Sequence, residues 1–333
     1  MEKFRKILGG LLAGAIGDAM GAPTETRSTQ QIIEKFGGLV TTFLAPPDDV
    51  FAHGFPAGSV TDDFSLAYYT AQAIIDSRGI IDESTAAAAL LKWADTPYYA
   101  LAGPTTRAAV DRIRGLETPK PDFVMAVDNS RATNGSAMKI SPVGLASGGD
   151  IDKAIKDAIT ICRPTHNNST SLSGACAVAA AVSAALDDEA TLDSLIEAGL
   201  RGAREGEKHG ALMSTPSVYE RIRLAVEIGR KYKGDDLLVM KKMSDIIGTG
   251  LAAAEAVPSA FGFLAASDGD AMKAIVMGVN AGNDTDTVAT IVGAIAGTWQ
   301  GYYDEEMLRT INEVNGFDLE KTAGELLEVA ENA

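Results

Sequence analysis

Gly58 to Ile75 reads GSVTDDFSLAYYTAQAII, and its apolar side chains at Phe64, Ala67, Tyr68, Ala71, Ile74 and Ile75 recur at the spacing of one helix face. Alternating β-branched runs are nearly absent elsewhere. The helical pattern returns at Ile151 to Ile161, Leu172 to Leu186, Leu192 to Arg204 and Ser217 to Tyr232. It returns again at Leu237 to Ile247, Met272 to Val279, Val288 to Trp299 and Leu319 to Ala330. The expectation is an all-α fold of many helices. Two adjacent carboxylates, Asp62 and Asp63, stand at the mouth of the first quoted helix, and GNDTDTVATIVGAIAG, Gly282 to Gly297, repeats the arrangement with Asp284 and Asp286.

The chain has 333 residues, enough to bury a sizeable core, and 29 basic against 45 acidic residues leave a net charge of −16. That balance opposes attraction to nucleic acid and to anionic membranes, so neither is expected as a partner. Cys162 and Cys176 lie in unrelated contexts without CxxC spacing, which indicates neither a disulfide framework nor a thiolate zinc site and fits a reducing cytoplasm. MEKFRKILGGLLAGAIGDAM imitates a secretory signal, but Asp18 and the glycines interrupt the apolar run, so it reads as a retained helix. No segment offers the roughly 20 uninterrupted apolar residues of a membrane span.

Glycines 10, 14, 17 and 21 in that first helix imply a backbone packed unusually close to a neighbour, ahead of one approaching a ligand. Two long irregular stretches, Thr41 to Gly58 and Leu116 to Thr133, have the length of functional lids or binding loops. Neither has the polar low-complexity character of a linker, so residues 1–333 are expected to form one domain.

One cap residue suffices to start a helix. Ser59 or Thr61 can cap the first acidic start, and Asp284 or Thr285 the second. Extra first-turn carboxylates gain roughly 0.3–1 kcal/mol from the helix dipole, which explains either cluster alone. If the two starts converge, however, Asp62, Asp63, Asp284 and Asp286 form four crowded negative charges, with Thr61 and Thr287 as neutral oxygens beside them. Two divalent cations balance that charge, and an all-oxygen shell suits Mg²⁺, Mn²⁺ or Ca²⁺ better than Zn²⁺.

These two motifs resemble the metal signatures of the ADP-ribosylglycohydrolase family, which includes the dinitrogenase-reductase-activating glycohydrolases and the ADP-ribosyl-acceptor hydrolases. The resemblance runs in order through ILGGLLAGAIGDAMGAPTE (Ile7 to Glu25), TDDFSLAY, GPTTRAAV (Gly103 to Val110), NGSAMKISPVG (Asn134 to Gly144), RPTHNNS (Arg163 to Ser169) and GNDTDTVATIVGAIAG. It implies a single-domain, all-α orthogonal multi-helix bundle with a dinuclear Mg²⁺ or Mn²⁺ cleft. On the matching positions the metal ligands are Thr61, Asp62, Asp63, Asp284, Asp286 and Thr287. Phe64 departs from the family, which usually has Ser or Thr there; altered packing around retained metals, and a changed pocket wall, are the expected results.

The same resemblance puts Glu25 at the metal cleft, His166 near the bound ribose, and Asn134, Gly135 and Ser136 at the diphosphate or distal ribose of ADP-ribose. Gly103 to Thr106 either lines the same cleft or simply starts a helix. Asp18 reads as a buried helix-to-helix hydrogen bond at least as well as chemistry, and His53 belongs to the proline-rich loop. The implied reaction is hydrolysis of an N- or O-glycosidic bond at the anomeric carbon of ribose in an ADP-ribosylated protein or a small ADP-ribosyl compound, with Glu25 or Asp63 handling the proton. A nucleoside-like small molecule is the alternative substrate. A non-catalytic ADP-ribose binder is the rival from another class; its mark, a missing ligand, is not found at the six positions.

Overall fold

The computed structural model describes residues 2–116 and 126–332; Pro119 and Pro121 of the second irregular stretch lie outside the described residues. Helices α1 (Glu2–Gly21), α2 (Thr29–Phe36), α3 (Asp62–Asp76), α4 (Glu83–Ala94), α5 (Pro104–Ile113) and α6 (Ser141–Ala146) make up the first part. Then follow α7 (Ile151–His166), α8 (Ser169–Ala185), α9 (Leu192–Gly206), α10 (Val218–Lys231) and α11 (Asp236–Lys242). The last are α12 (Ala253–Ala266), α13 (Ala271–Asn280), α14 (Thr285–Gln300), α15 (Glu305–Asn315) and α16 (Leu319–Glu331). Among the described residues, pairing between extended segments is limited to three isolated bridges, so the fold is all-α.

Several of the periodic segments, α9 and α10 among them, bury one side, whereas α8 and nearly all of α14 are buried all round. α12 shows no such period in the sequence: every residue of it except Glu255 is buried, so there is no polar side to mark it. Its Pro258 lacks the N–H that would bond to the carbonyl of Ala254, and Arg221 Nη1 donates to that carbonyl instead, at 2.9 Å. The segment read as one helix from Leu237 to Ile247 is divided, α11 giving way to a π-helical turn at Met243–Ile247 that ends on Gly248 at φ 89°.

The central pair is α1 against α14, the most extensive helix contact among the described residues. A Cβ on Gly9 would lie 2.4 Å from Gly297 O, one on Gly17 2.3 Å from Ala289 O, and one on Gly21 2.4 Å from the Asp286 Cα. The paired numbers fall on one helix as they rise on the other, so the two run antiparallel with touching backbones. The glycines of α1 therefore serve packing. Their consequence is positional: the C-terminal end of α1, which leads into Glu25, is pressed against the first turn of α14, which carries Asp286.

Candidate metal centre

At α3, Thr61 is the N-cap, its hydroxyl accepting from the Asp63 N–H at 3.2 Å. The carboxylate of Asp18, on α1 and fully buried, accepts from the Thr61 N–H at 2.9 Å and the Phe64 N–H at 2.8 Å. Asp18 thus caps α3 from another helix, which is the hydrogen-bonding reading of that residue. With the cap supplied twice, Asp62 and Asp63 are surplus to starting the helix. Phe64 contributes its backbone to this arrangement while its side chain turns into the core near Phe317; it does not line the cavity described below.

At α14 neither expected side chain caps. Asp284 occupies the N-cap position without a capping bond; its Oδ2 accepts instead from Asn134 Nδ2 at 2.5 Å. The Thr285 hydroxyl donates back to the carbonyl of Gly21, at 3.0 Å, and so ties α14 to the end of α1. Asp286 Oδ1 accepts from the Thr287 N–H at 3.0 Å. The Thr287 hydroxyl donates to Asp63 Oδ2 at 2.5 Å, which joins two helix starts 224 residues apart.

Glu25 enters from the turn after α1. Thr26 N–H donates to Asn283 O at 2.7 Å and Asn283 N–H to Arg27 O at 2.8 Å, so the turns bearing Glu25 and Asp284 hold each other. Thr26 and Asn283 both sit in the left-handed region, at φ 66° and 67°. Such positions cost on the order of 1 kcal/mol each and persist where surrounding structure enforces them. The reciprocal bonds and the neighbouring Ser28–Gly282 bridge do the enforcing.

Glu25, Asp284 and Asp286 bring carboxylate oxygens within 4.8 Å of one another, the one such buried group among the described residues. A hard divalent cation takes oxygen ligands at about 2.0–2.6 Å, so donors on opposite sides of it are separated by up to about 5 Å. The donor set fits. Without a cation the cluster resists ionising: burial, then the charge of Asp286, pushes Asp62 up to about 7. Burial and the charges of Asp286, Asp284, Asp62 and Asp18 push Glu25 up to about 10. Asp63 and Asp284 are held well above the ordinary carboxylate range by burial first and Asp286 second.

A cavity of about 450 Å³ opens onto this cluster. Thr61, Asp62, Asp63, Asp284, Asp286 and Thr287 all line it, together with Glu25. Asn134, Gly135 and His166 line it too. Ser136 does not: it is fully buried and donates its hydroxyl to the carbonyl of Ser171 at 2.8 Å, bracing this segment against α8. The main-chain N–H of Asn134 is likewise occupied, by Leu251 O at 2.9 Å. His166 pairs through Nε2 with the Thr133 hydroxyl at 3.0 Å. Burial, and then the nearby Lys139 ammonium, depress its pKa to about 3, so the ring is neutral. Gly135 is required beside it, since a Cβ there would lie 2.9 Å from His166 Cε1.

Phe51 and Ala52 bring the proline-rich loop into the wall, whereas His53 stays outside the lining. Residues 103–106 both line the cavity and start α5. Sequence reading did not single out Arg107 or Leu251, which also line it. Arg107 stands inside the quoted GPTTRAAV; Leu251 lies in no motif and had no signal to reveal it.

A sequence model of the family described as ADP-ribosylglycohydrolase matches residues 1–333. The chain is 31% identical over 330 residues to the uncharacterized protein YegU of Escherichia coli (strain K12), with 96% of each chain covered. It is 27% identical over 336 residues to ADP-ribosylhydrolase ARH3 of Gallus gallus, covering 90% of this chain and 86% of that one. A solved structure titled ADP-ribosylglycohydrolase-related protein complex superposes with a TM-score of 0.68 at 23% identity, over 99% of this chain and 98% of that chain, a likeness of fold. Carboxylate-bearing turns that meet in one cavity, on a helical scaffold matched from end to end, place the chain in the ADP-ribosylglycohydrolase family.

Proposed function

We propose that the chain is a hydrolase dependent on two divalent cations, Mg²⁺ or Mn²⁺, that cleaves the N- or O-glycosidic bond at the anomeric carbon of ribose in ADP-ribosyl conjugates. The observation that carries this reading is the Thr287–Asp63 hydrogen bond, because it joins the two acidic helix starts inside one cavity. Thr61, Asp62, Asp63, Asp284, Asp286 and Thr287 hold the cations. When bound, the cations supply orientation of the ribose hydroxyls and polarisation of a water.

The chain's own groups do the rest. Carboxylates around the anomeric carbon stabilise the positive charge that develops on the ribose ring. Glu25 and Asp63 are the two candidates for moving the proton, and their surroundings differ. Asp63 is committed to the Thr287 hydroxyl, whereas the Glu25 carboxyl receives no hydrogen bond among the described residues and lines the cavity. Glu25 is the freer of the two to take a proton from the attacking water or pass one to the leaving group. Neutral His166 and Asn134 contact the sugar side of the substrate; Gly135 and Ser136 shape that wall, Ser136 from behind. Activity from a single domain in the cytoplasm is part of the reading, supported by one core that runs from Ile7 to Leu326 and by free buried thiols at Cys162 and Cys176.

The excess of carboxylates over cations along the cavity favours a second reading, in which the substrate is an uncharged nucleoside-like ribosyl compound. A screen of the chain against ADP-ribosylated arginine and serine peptides and against nucleosides, with Mg²⁺, Mn²⁺ or chelator, separates the two by which one releases sugar product. Release in the presence of chelator would sink both.

A further inference from the structure

One cationic side chain lines the cavity among the described residues, that of Arg107 on α5. Its plane is fixed. Nε donates to Ala102 O at 2.7 Å, Nη2 donates to Ala100 O at 2.6 Å, and the guanidinium carbon lies 5.5 Å from the centre of the Tyr99 ring. Among the described residues Nη1 has no acceptor and no carboxylate lies within ion-pair distance of the group. Other arginines of the chain are spent differently: Arg27 pairs with Asp49 and Arg114 with Asp95.

The start of α5 adds to this. Gly103 at the N-cap offers no side chain, Pro104 has no N–H, and the N–H groups of Thr105 and Thr106 meet no acceptor among the described residues. All of these residues line the cavity beside Arg107. Two divalent cations cancel the four aspartates, and Glu25 beside them is at most neutral, so the centre itself offers no net attraction to an anion. Positive potential in the cavity then comes from Arg107 and the open first turn of α5.

We propose that Arg107, held in place by the Ala100 and Ala102 carbonyls, is the anion-reading residue of the cavity: with the first turn of α5 it binds the diphosphate of an ADP-ribosyl substrate and so selects phosphorylated ribosyl compounds over nucleosides. The inference rests on the reading of the site as a ribosyl hydrolase. A planar fork suits a phosphate, and losing it removes a charge-assisted hydrogen bond along with the charge.

The test is calorimetric binding of ADP-ribose and of adenosine to the full chain in Mg²⁺, for wild type, Arg107→Gln and Arg107→Lys, with thermal melting to compare folding. Wild type is expected to bind ADP-ribose more tightly than adenosine. Arg107→Gln should weaken ADP-ribose by about tenfold more than adenosine, the worth of one hydrogen bond to a charged group. Arg107→Lys, which keeps the charge and loses the fork, should fall between, and added salt should weaken ADP-ribose more in wild type than in Arg107→Gln. Equal losses for both ligands would mean that Arg107 only staples the Pro97–Leu101 turn, and would overturn the inference. So would a wild-type preference for adenosine. If Arg107→Gln fails to fold, Arg107→Lys and the wild-type pair decide. Nucleoside turnover without ADP-ribose binding would sink this inference and spare the hydrolase; intact ADP-ribose binding without turnover of any conjugate would do the reverse.

Discussion

The two acidic helix starts look alike as strings and are built differently. At α3 the helix is capped twice, by its own Thr61 and by Asp18 from α1, and the following aspartates are surplus. At α14 the residue in the cap position, Asp284, turns to Asn134 and the cavity, and Thr285 is spent on Gly21. One start is stabilised from outside so that it can present charge; the other gives up its own cap to do so. Stability and function are therefore separable at α3 and compete at α14.

Four substitutions and a pH profile test that difference. Asp286→Ala should lower turnover and cation affinity by more than about a hundredfold while circular dichroism shows unchanged helix content, because the side chain's bonds within the chain are few. Full turnover in that variant would refute the cation reading at both starts. Asp18→Ala strips α3 of its external cap, a buried acceptor for the Thr61 and Phe64 N–H groups, and should cost about 3 kcal/mol in denaturant melts; a cost near zero would mean Thr61 alone suffices.

The pH dependence of the cation-free protein comes next. Asp62 at about 7 and Glu25 at about 10 keep protons in the folded state that the unfolded chain releases near pH 4. The folded state binds more protons across that window, so stability falls as pH rises from about 4, through 7 for Asp62 and on to about 10 for Glu25. Mg²⁺ or Mn²⁺ competes with those protons, so its stabilising effect in melting curves should grow over the same range. A flat profile without cation would contradict the crowding. Smallest is Asp284→Asn, which removes one repelling charge and keeps the shape: the cation-free protein should melt roughly 2 °C higher at pH 8, while cation binding is lost. The corresponding swap at α3, Asp18→Asn, should lower the melting point, which sets the two starts against each other directly.

Helices with one polar side, such as α9 and α10, were legible in the chain because burying one face leaves a period of 3.6 residues. α12, buried on nearly all sides and interrupted by Pro258, was not, although α8, buried as completely, was. Among the candidate site residues, Asn134, Gly135 and His166 reach the cavity and Ser136 stops behind it. Neighbours in a motif point in different directions once a short helical turn forms at Asn134–Ser136, and no spacing rule says which one faces outward. Arg107 was hidden for a similar reason: on its own helix it is one more exposed basic residue, and its meaning depends on which cavity the helix start opens into.

Composition and period alone determined that this chain is helical, acidic and rich in close-packing glycine, because those properties depend on which neighbours lie three or four residues away. Tertiary structure decided that Gly21 touches Asp286, that Thr287 reaches Asp63, and that Asp18 rather than a local residue completes the start of α3. Those contacts join positions tens to hundreds of residues apart, and the free energy that makes them comes from the whole buried core, to which no single stretch of the chain holds the key.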